Sequence, residues 1–286
     1  MSLNFNSLSI TISGNNFQTN ATVSLGSSFA SSVSVINSST ITALTPAHAA
    51  GTVNLVVTNP DGQNGTLTNG FTYNAPPGGE TVLVADDFNN GVLDTSKWAA
   101  NNLFSGFTDA TVGWQETTMF SIGPLKQNVD GSHYNGIRTS NGFDFRNAYS
   151  YVELVQGPST STKADAMFTV GRDAQNYYRV YVEDGSFICQ ARIGGTKRNL
   201  FTTAYNAVAH RYWRIRHELA TGNVVFETAP DDGGLPGPWT FWYSEQWDNV
   251  SVPLASVMFE IKGGTWQPES SPPGTVVFDN FKVARP

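Results

Sequence analysis

An all-β chain built as two sandwiches, a small one followed by a larger two-sheet antiparallel jelly roll, is what this 286-residue sequence predicts. Three observations predict it. Short stretches of alternating apolar and polar residues recur from end to end, the period of a strand whose successive side chains leave opposite faces. No long stretch keeps the 3.6-residue period of a helix. Ser, Thr, Asn and Gly stand where charge is usual: Asp, Glu, Lys and Arg make up only 14% of residues, against about 25% in ordinary globular domains.

The same composition excludes several functions. Net charge is −7 and no basic tract appears, which argues against nucleic acid and against an anionic membrane surface as partners. No stretch approaches the ~20 apolar residues of a membrane span, so no membrane insertion is expected. The single cysteine, Cys189 in "SFICQARI", rules out an internal disulfide and a Cys-based zinc cluster, and reads as a small buried apolar residue. The start "MSLNF" has neither the basic opening nor the apolar run of a signal peptide. Export has to be argued from the domains instead.

The first sandwich spans residues 1–75. Asp61 is the only acidic or basic side chain in the first 79 residues, and "TYNAPPGGETV" then brings Pro76-Pro77-Gly78-Gly79, which stops any strand or helix. A linker is expected over 76–80. Ahead of it, "SLSITISG" alternates Leu8, Ile10 and Ile12, "ATVSLGS" and "SVSVINSSTITALTP" follow, and Asn59-Pro60-Asp61-Gly62 marks a turn inside "GTVNLVVTNPDGQNGTLTNGFTY". Short strands at this spacing predict a small sandwich. "ITISGNNF", "ITALTPAHAAGTVNLVVTNPDGQ" and "TLTNGFTY" resemble the IPT/TIG immunoglobulin-like domain, with the usual first strand shortened. In secreted bacterial proteins such domains serve as spacers or fibre modules, so the resemblance implies an extracellular setting, a larger secreted multidomain protein and no catalytic residue.

The second sandwich spans residues 81–286. "TVLVADDF", "YSYVELVQ", "ADAMFTVGR", "NYYRVYVED", "SFICQARI", "HRYWRIRHEL", "NVVFETA", "ASVMFEIKGG" and "TVVFDNFKVA" all read as strands. About a dozen strands in some 200 residues suit a two-sheet jelly roll better than an immunoglobulin sandwich. "VADDFNNGVLDTSKW", "NYYRVYVEDG", "HRYWRIRHE", "FETAPDDGG" and "GTVVFDNFKV" resemble the concanavalin A-like, laminin-G-like superfamily. That fold carries lectins, binding modules, hydrolases and lyases alike, so the likeness implies architecture more than activity.

Alternation sorts each strand into faces. Val152 and Leu154, Ala166, Phe168 and Val170, Tyr178, Val180 and Val182, and Val257, Phe259 and Ile261 suit a core. Phe187, Cys189, Ala191 and Ile193 make the apolar side of their strand. If the strands share one sheet, its other face collects Tyr149, Tyr151, Glu153, Tyr177, Arg179, Tyr181, Glu183, Arg192, Glu260 and Lys262, with Trp266 in the loop beyond. Cross-strand pairing alone accounts for such a face, at ~0.2–1 kcal/mol per pair. Sugar binding accounts for it too: aromatic rings offer flat apolar area to a pyranose, and Arg, Lys and Glu offer charge-assisted hydrogen bonds to hydroxyls. The resemblance adds that jelly rolls of this type use their concave sheet in this way.

A non-catalytic glycan-binding or adhesion module on an immunoglobulin-like spacer is therefore the function expected, with a polysaccharide or glycan as partner and no cofactor required. Affinity should be moderate, since an open face desolvates less ligand than a deep pocket. Two alternatives stand beside it. A hydrolase needs two carboxyls ~5–9.5 Å apart, for which Glu153, Glu183 and Glu260 are the candidates, although the E-x-D-x-x-E strand signature of laminarinase-like hydrolases is missing. A lyase needs a Tyr or His base and a cation, which "GSHYNGIR" offers as His133, Tyr134 and Arg138 in a stretch that reads as a loop. The last alternative is a structural or protein-binding surface module, using the aromatic stretch "GPWTFWYSEQWDN" with Trp239, Trp242 and Trp247; Trp98 and Trp213 read as core. Asp86, Asp87 and Asp279, at the two ends of the domain, are candidates for a structural Ca²⁺, against turn capping as the plainer account. His48, His133, His210 and His217 lack metal-ligand spacing.

Overall fold

The computed structural model describes residues 9–46, 51–73, 80–159 and 162–286. The chain divides into two compact units between Gly79 and Glu80. Of the predicted linker, only Glu80 falls among the described residues. Every described residue in regular structure belongs to a strand, and all the pairings between neighbouring strands are antiparallel.

The first unit holds β1 (Ser9–Ser13), β2 (Thr22–Leu25), β3 (Ser28–Phe29), β4 (Ser31–Asn37), β5 (Thr40–Leu44), β6 (Gly51–Thr58) and β7 (Asn64–Tyr73). They form two sheets, β1-β5-β4 and β3-β2-β6-β7. Inward residues of both, among them Ile12, Val23, Leu25, Ile41, Leu55 and Val57, make one small core. The predicted turn joins β6 to β7: Gly62 donates its N–H to the Asn59 carbonyl and adopts φ +85°, a conformation that glycine enters without strain.

The second unit holds β8 (Thr81–Asp86), β9 (Trp98–Ala100), β10 (Trp114–Glu116), β11 (Phe120–Ile122), β12 (His133–Thr139), β13 (Tyr149–Gln156), β14 (Ala164–Asp173), β15 (Asn176–Glu183), β16 (Ser186–Ile193), β17 (Thr196–Ala204), β18 (Tyr212–Glu218), β19 (Asn223–Ala229), β20 (Thr240–Gln246), β21 (Met258–Thr265) and β22 (Val276–Arg285). A seven-stranded sheet runs β17-β16-β15-β14-β21-β12-β9. An eight-stranded sheet runs β10-β11-β22-β13-β18-β19-β20, with β8 also on β22. Alternation assigns the core as expected. Phe168, Tyr178, Val180, Phe187, Phe259 and Ile261 from one sheet meet Val152, Trp213, Ile215, Phe226 and Phe278 from the other, with Trp98 and Cys189 buried among them. Each large side chain so enclosed contributes about 1.5–3 kcal/mol of transfer free energy.

Two stretches expected as loops are strands. "GSHYNGIR" enters β12, which pairs with both β21 and β9. Gly136 fits there because a Cβ would collide with the Ile261 carbonyl, so the glycine that suggested a turn serves close strand approach instead. "GPWTFWYSEQWDN" supplies β20, the edge of the eight-stranded sheet. Its tryptophans separate accordingly. The Trp242 indole donates to Thr228 Oγ1 at 2.8 Å, the Trp247 indole to the Val252 carbonyl at 2.7 Å, and Trp239 alone packs on the outer face.

Candidate functional site

The expectation of a single polar and aromatic face is corrected by the strand order. β13 pairs with β18 and β22 in the eight-stranded sheet, whereas β14, β15, β16 and β21 lie in the other. Tyr149, Tyr151 and Glu153 therefore occupy the outer face of one sheet. Tyr177, Arg179, Tyr181, Glu183, Arg192, Glu260 and Lys262 occupy the outer face of the opposite one. The two faces differ in how their polar groups are used.

On the eight-stranded sheet the charges are paired within the protein. Glu153 accepts from Arg211 Nε and Asn280 Nδ2, both at 2.6 Å, which leaves neither oxygen bare. Glu227 accepts from Arg214 Nε at 2.6 Å and Arg216 Nε at 3.0 Å. Arg214 also lies 4.0 Å from the centre of the Trp239 ring, and Lys282 pairs with Glu80. Tyr149 and Tyr151 stack with their rings near parallel. The Glu227 pairs with Arg214 and Arg216 are cross-strand, and all of these contacts are made within the protein.

On the seven-stranded sheet, register arranges the outward side chains in rows about 7 Å apart along the strands. One row reads Asn199, Gln190, Arg179, Thr169, Glu260, Arg138 from β17 to β12. The next holds Ile188, Tyr181, Met167 and Lys262, and the one beyond it Glu183, Asp165, Gly264 and Tyr134. On the other side, Tyr177, Arg192 and Lys197 make a further row. Trp266 extends the face at the end of β21, with the Lys163 ammonium 5.7 Å from its ring centre.

Arg179 is the centre of this surface. Its guanidinium lies between the rings of Tyr177 and Tyr181, 5.2 and 4.6 Å from their centres, and one terminal nitrogen contacts the Met167 sulfur at 3.0 Å. The cation is thus held beside two aromatic rings. Its Nε is buried without a partner. So are Arg138 Nε, Thr169 Oγ1, Gln190 Oε1 and Asp165 Oδ1. Buried polar atoms are nearly always hydrogen-bonded, and leaving one unpaired costs about 1–3 kcal/mol. Five of them lie on the outward side of one sheet, each enclosed by its neighbours.

Asp165, not among the sequence candidates, faces outward on β14, opposite Glu183 of β15. The Tyr134 hydroxyl donates to its Oδ2. Burial pushes its pKa up to about 7, and Glu183 opposite adds to the rise, against Tyr134, Arg179 and Lys262. Burial first, and then Asp165, raise Tyr134 far above the ordinary phenol range, so it keeps its proton.

The catalytic candidates are rearranged by the same geometry. Glu153 is on the opposite side of the sandwich. Glu260 is spent, since its Oε2 accepts the Phe104 N–H at 2.5 Å and its Oε1 pairs with Lys262 at 2.8 Å. Glu183 and Glu260 are separated by β14 and by two rows. The three glutamates do not pair; the neighbouring carboxyls on this face are Asp165 and Glu183. Of the lyase candidates, Tyr134 and Arg138 do join the face. His133 is turned from them and held between Asp109 Oδ2 at 2.6 Å and the Asp130 carbonyl at 2.8 Å, and the Asp109 bond above all raises its pKa.

The calcium candidates come near one another, since β8 pairs with β22 and Asp87 is among the charges that, after burial, raise the pKa of Asp279, but each carboxylate is engaged locally. Asp86 is buried and accepts from the Trp98 indole at 2.9 Å and the Phe88 N–H at 3.1 Å, Asp87 accepts from Asn89 Nδ2, and Asp279 accepts the Asn280 N–H. These are capping bonds of turns and a core indole. Among the described residues no three Asp, Glu, His or Cys side chains are grouped closely enough to hold a metal.

The fold defines a two-sheet jelly roll behind a small immunoglobulin-like sandwich. The family model for the IPT/TIG domain matches residues 2–73. No curated protein sequence matches the chain. Among solved structures, a variant of a GH43 protein from Bacillus licheniformis is 14% identical with a TM-score of 0.50, covering 82% of this chain and 46% of its own, so the chain spans about half the length of that protein. A variant of LamA from Z. galactanivorans, solved with laminaritriose and laminaritetraose, is 13% identical with a TM-score of 0.48, covering 72% of this chain and 99% of its own. A legume lectin-like domain from Entamoeba histolytica is 5% identical with a TM-score of 0.47, covering 68% and 99%. At these identities the likeness is one of fold.

Proposed function

We propose that the outer face of the seven-stranded sheet binds a glycan without cleaving it, and that the first unit serves as a spacer for this module in a secreted protein. One observation carries the reading: five polar atoms without partners, Arg138 Nε, Asp165 Oδ1, Thr169 Oγ1, Arg179 Nε and Gln190 Oε1, lie with the buried rings of Tyr177 and Tyr181 in the floor of one outer face, and Trp266, Lys262, Arg192 and Lys197 form its more open rim. Hydroxyls both donate and accept, so a sugar seated on this rim hydrogen-bonds to its charged side chains while its C–H face packs on Trp266, and the polar floor beneath holds the rim side chains in place. The paired charges of the other outer face support no such reading.

Hydrolysis has one observation in its favour, a carboxyl raised to about 7 with Glu183 on the adjacent strand. A raised acid beside a second carboxyl is what glycoside cleavage requires. Affinity electrophoresis through laminarin, xylan and alginate gels separates the two readings. Retardation of the wild type that Tyr181→Ala abolishes supports binding. Polymer clearing that Asp165→Asn abolishes replaces binding with hydrolysis. Retardation equal in wild type and Tyr181→Ala removes this face from the account.

A further inference from the structure

The charge on this face sets the class of glycan. Resting on the glycan-binding reading above, we propose that the ligand is an acidic glycan, and that Arg179, Arg192 and Lys197 hold its anionic substituent, a uronate carboxylate or a sulfate ester.

The observation is a cluster of cations left without counter-charge. Lys197 stands opposite Arg192 in the register of β17 and β16, and Arg192 stands opposite Tyr177, one row from Arg179. Among the described residues, none of the three has a carboxylate within ion-pair distance: Arg192 Nε is bonded to the Gly195 carbonyl, and Arg179 has its rings and the Met167 sulfur. The other outer face behaves differently, for Arg211, Arg214, Arg216 and Lys282 each have a carboxylate partner. The composition makes the contrast sharper. The chain has 23 acidic side chains against 16 Lys and Arg, yet among the described residues the acids nearest these cations, Glu260 across Thr169 and Asp165 two rows away, form no ion pair with them.

Like charges on neighbouring strands repel, and a sheet ordinarily relieves this with an opposite charge directly across. Desolvation first, and then Arg179, Arg192 and Lys262, lower the pKa of Lys197 against a smaller opposing effect of Asp165, so the positive neighbours prevail at the ammonium. An anion seated there removes the repulsion. Arg179 acts through its fixed charge: its guanidinium is buried beside two rings, so direct contact with the anion falls to Arg192 and Lys197 at the more open edge. The surface is also polarised along its length. Asp165 and Glu183 lie two rows from Arg179, roughly 13 Å along the strands. An acidic group is repelled there, whereas hydroxyls find acceptors. The ligand is thus an oligosaccharide with its charge at the β16–β17 side and a neutral sugar toward Trp266.

Isothermal titration tests this with polymers that differ only in charge: polygalacturonate against its methyl-esterified form, and dextran sulfate against dextran, with laminarin and xylan as neutral glycans. The proteins are wild type, Tyr181→Ala, the double variant Arg192→Gln/Lys197→Gln, and Arg146→Gln as a control on an exposed cation elsewhere. The expected result is at least tenfold tighter binding of one charged polymer than of its neutral form, a loss of tenfold or more in the double variant, and no change in Arg146→Gln. Preference for polygalacturonate assigns a carboxylate, and preference for dextran sulfate a sulfate. Equal affinity for charged and neutral polymers, still dependent on Tyr181, overturns the acidic class and leaves the glycan reading standing. An equal loss in Arg146→Gln shows diffuse attraction and overturns the assignment to this face. Absence of binding to every polymer overturns both readings. The double variant changes two rim side chains, and its urea midpoint checks that folding is intact.

Discussion

Asp165 is enclosed by Tyr134, Met167 and its strand neighbours, with one oxygen bonded and the other bare. Its folded pKa of about 7 lies well above the value near 4 of an unfolded chain. Between those values the folded protein keeps a proton that the unfolded chain has released. The group therefore stabilises the fold at low pH, and that contribution is lost as pH rises through about 7. Each pH unit within the window is worth about 1.4 kcal/mol. Urea unfolding at about pH 5 and about pH 8 should show wild type losing on the order of 2 kcal/mol more than Asp165→Asn, which keeps an acceptor for Tyr134 but does not titrate. Equal losses in the two proteins would show that Asp165 is ionised throughout, and would remove the hydrolytic reading with it. Alternation within "ADAMFTVGR" turns Asp165 outward, but its special state depends on Tyr134 and Glu183, which only the folded register brings alongside. One strand read alone holds no sign of either.

Elements show where reading a sequence succeeds and where it stops. Faces were legible, because the two-residue period belongs to each strand by itself: Val152, Phe168, Val180, Cys189 and Phe259 are all buried as alternation requires. Neighbours were not. β14 to β17 follow one another as hairpins, and the outward sides of β15, β16 and β21 do share one surface, as read. The place of β13 depends on pairings with the distant β18 and β22, so Tyr149, Tyr151 and Glu153 were assigned to the wrong sheet. Glycines misled for the same reason. Gly264 lies between Tyr134 on β12 and Asp165 on β14, and a Cβ there would collide with the Tyr134 ring and the His133 carbonyl. The bare backbone lets Tyr134 lean across β21 to reach Asp165. Gly264→Ala should cost about 1–3 kcal/mol of stability by overpacking, measured by urea unfolding, and should weaken glycan binding along with it. Full stability in that variant would mean that Tyr134 has another rotamer at no cost, and that its bond to Asp165 is dispensable.

At the scale of the whole molecule, each unit encloses its own apolar core, one of a few residues around Val23 and Ile41 and one spanning both sheets of the jelly roll. A small domain buries a smaller fraction of its surface and is correspondingly less stable. Scanning calorimetry should accordingly resolve two transitions, the lower belonging to residues 1–79. A ligand that binds only the folded form of one unit stabilises that unit alone, by about 2.7 kcal/mol at a hundredfold excess over Kd. If the glycan is held by Arg179, Tyr181 and their neighbours, the polymer that binds should raise the upper transition by several degrees and leave the lower where it was. The double variant Arg192→Gln/Lys197→Gln should lose most of that rise. Movement of the lower transition instead would place the binding surface on the immunoglobulin-like unit. The seven-stranded face would then be left with unpaired polar groups and uncompensated cations that no ligand explains.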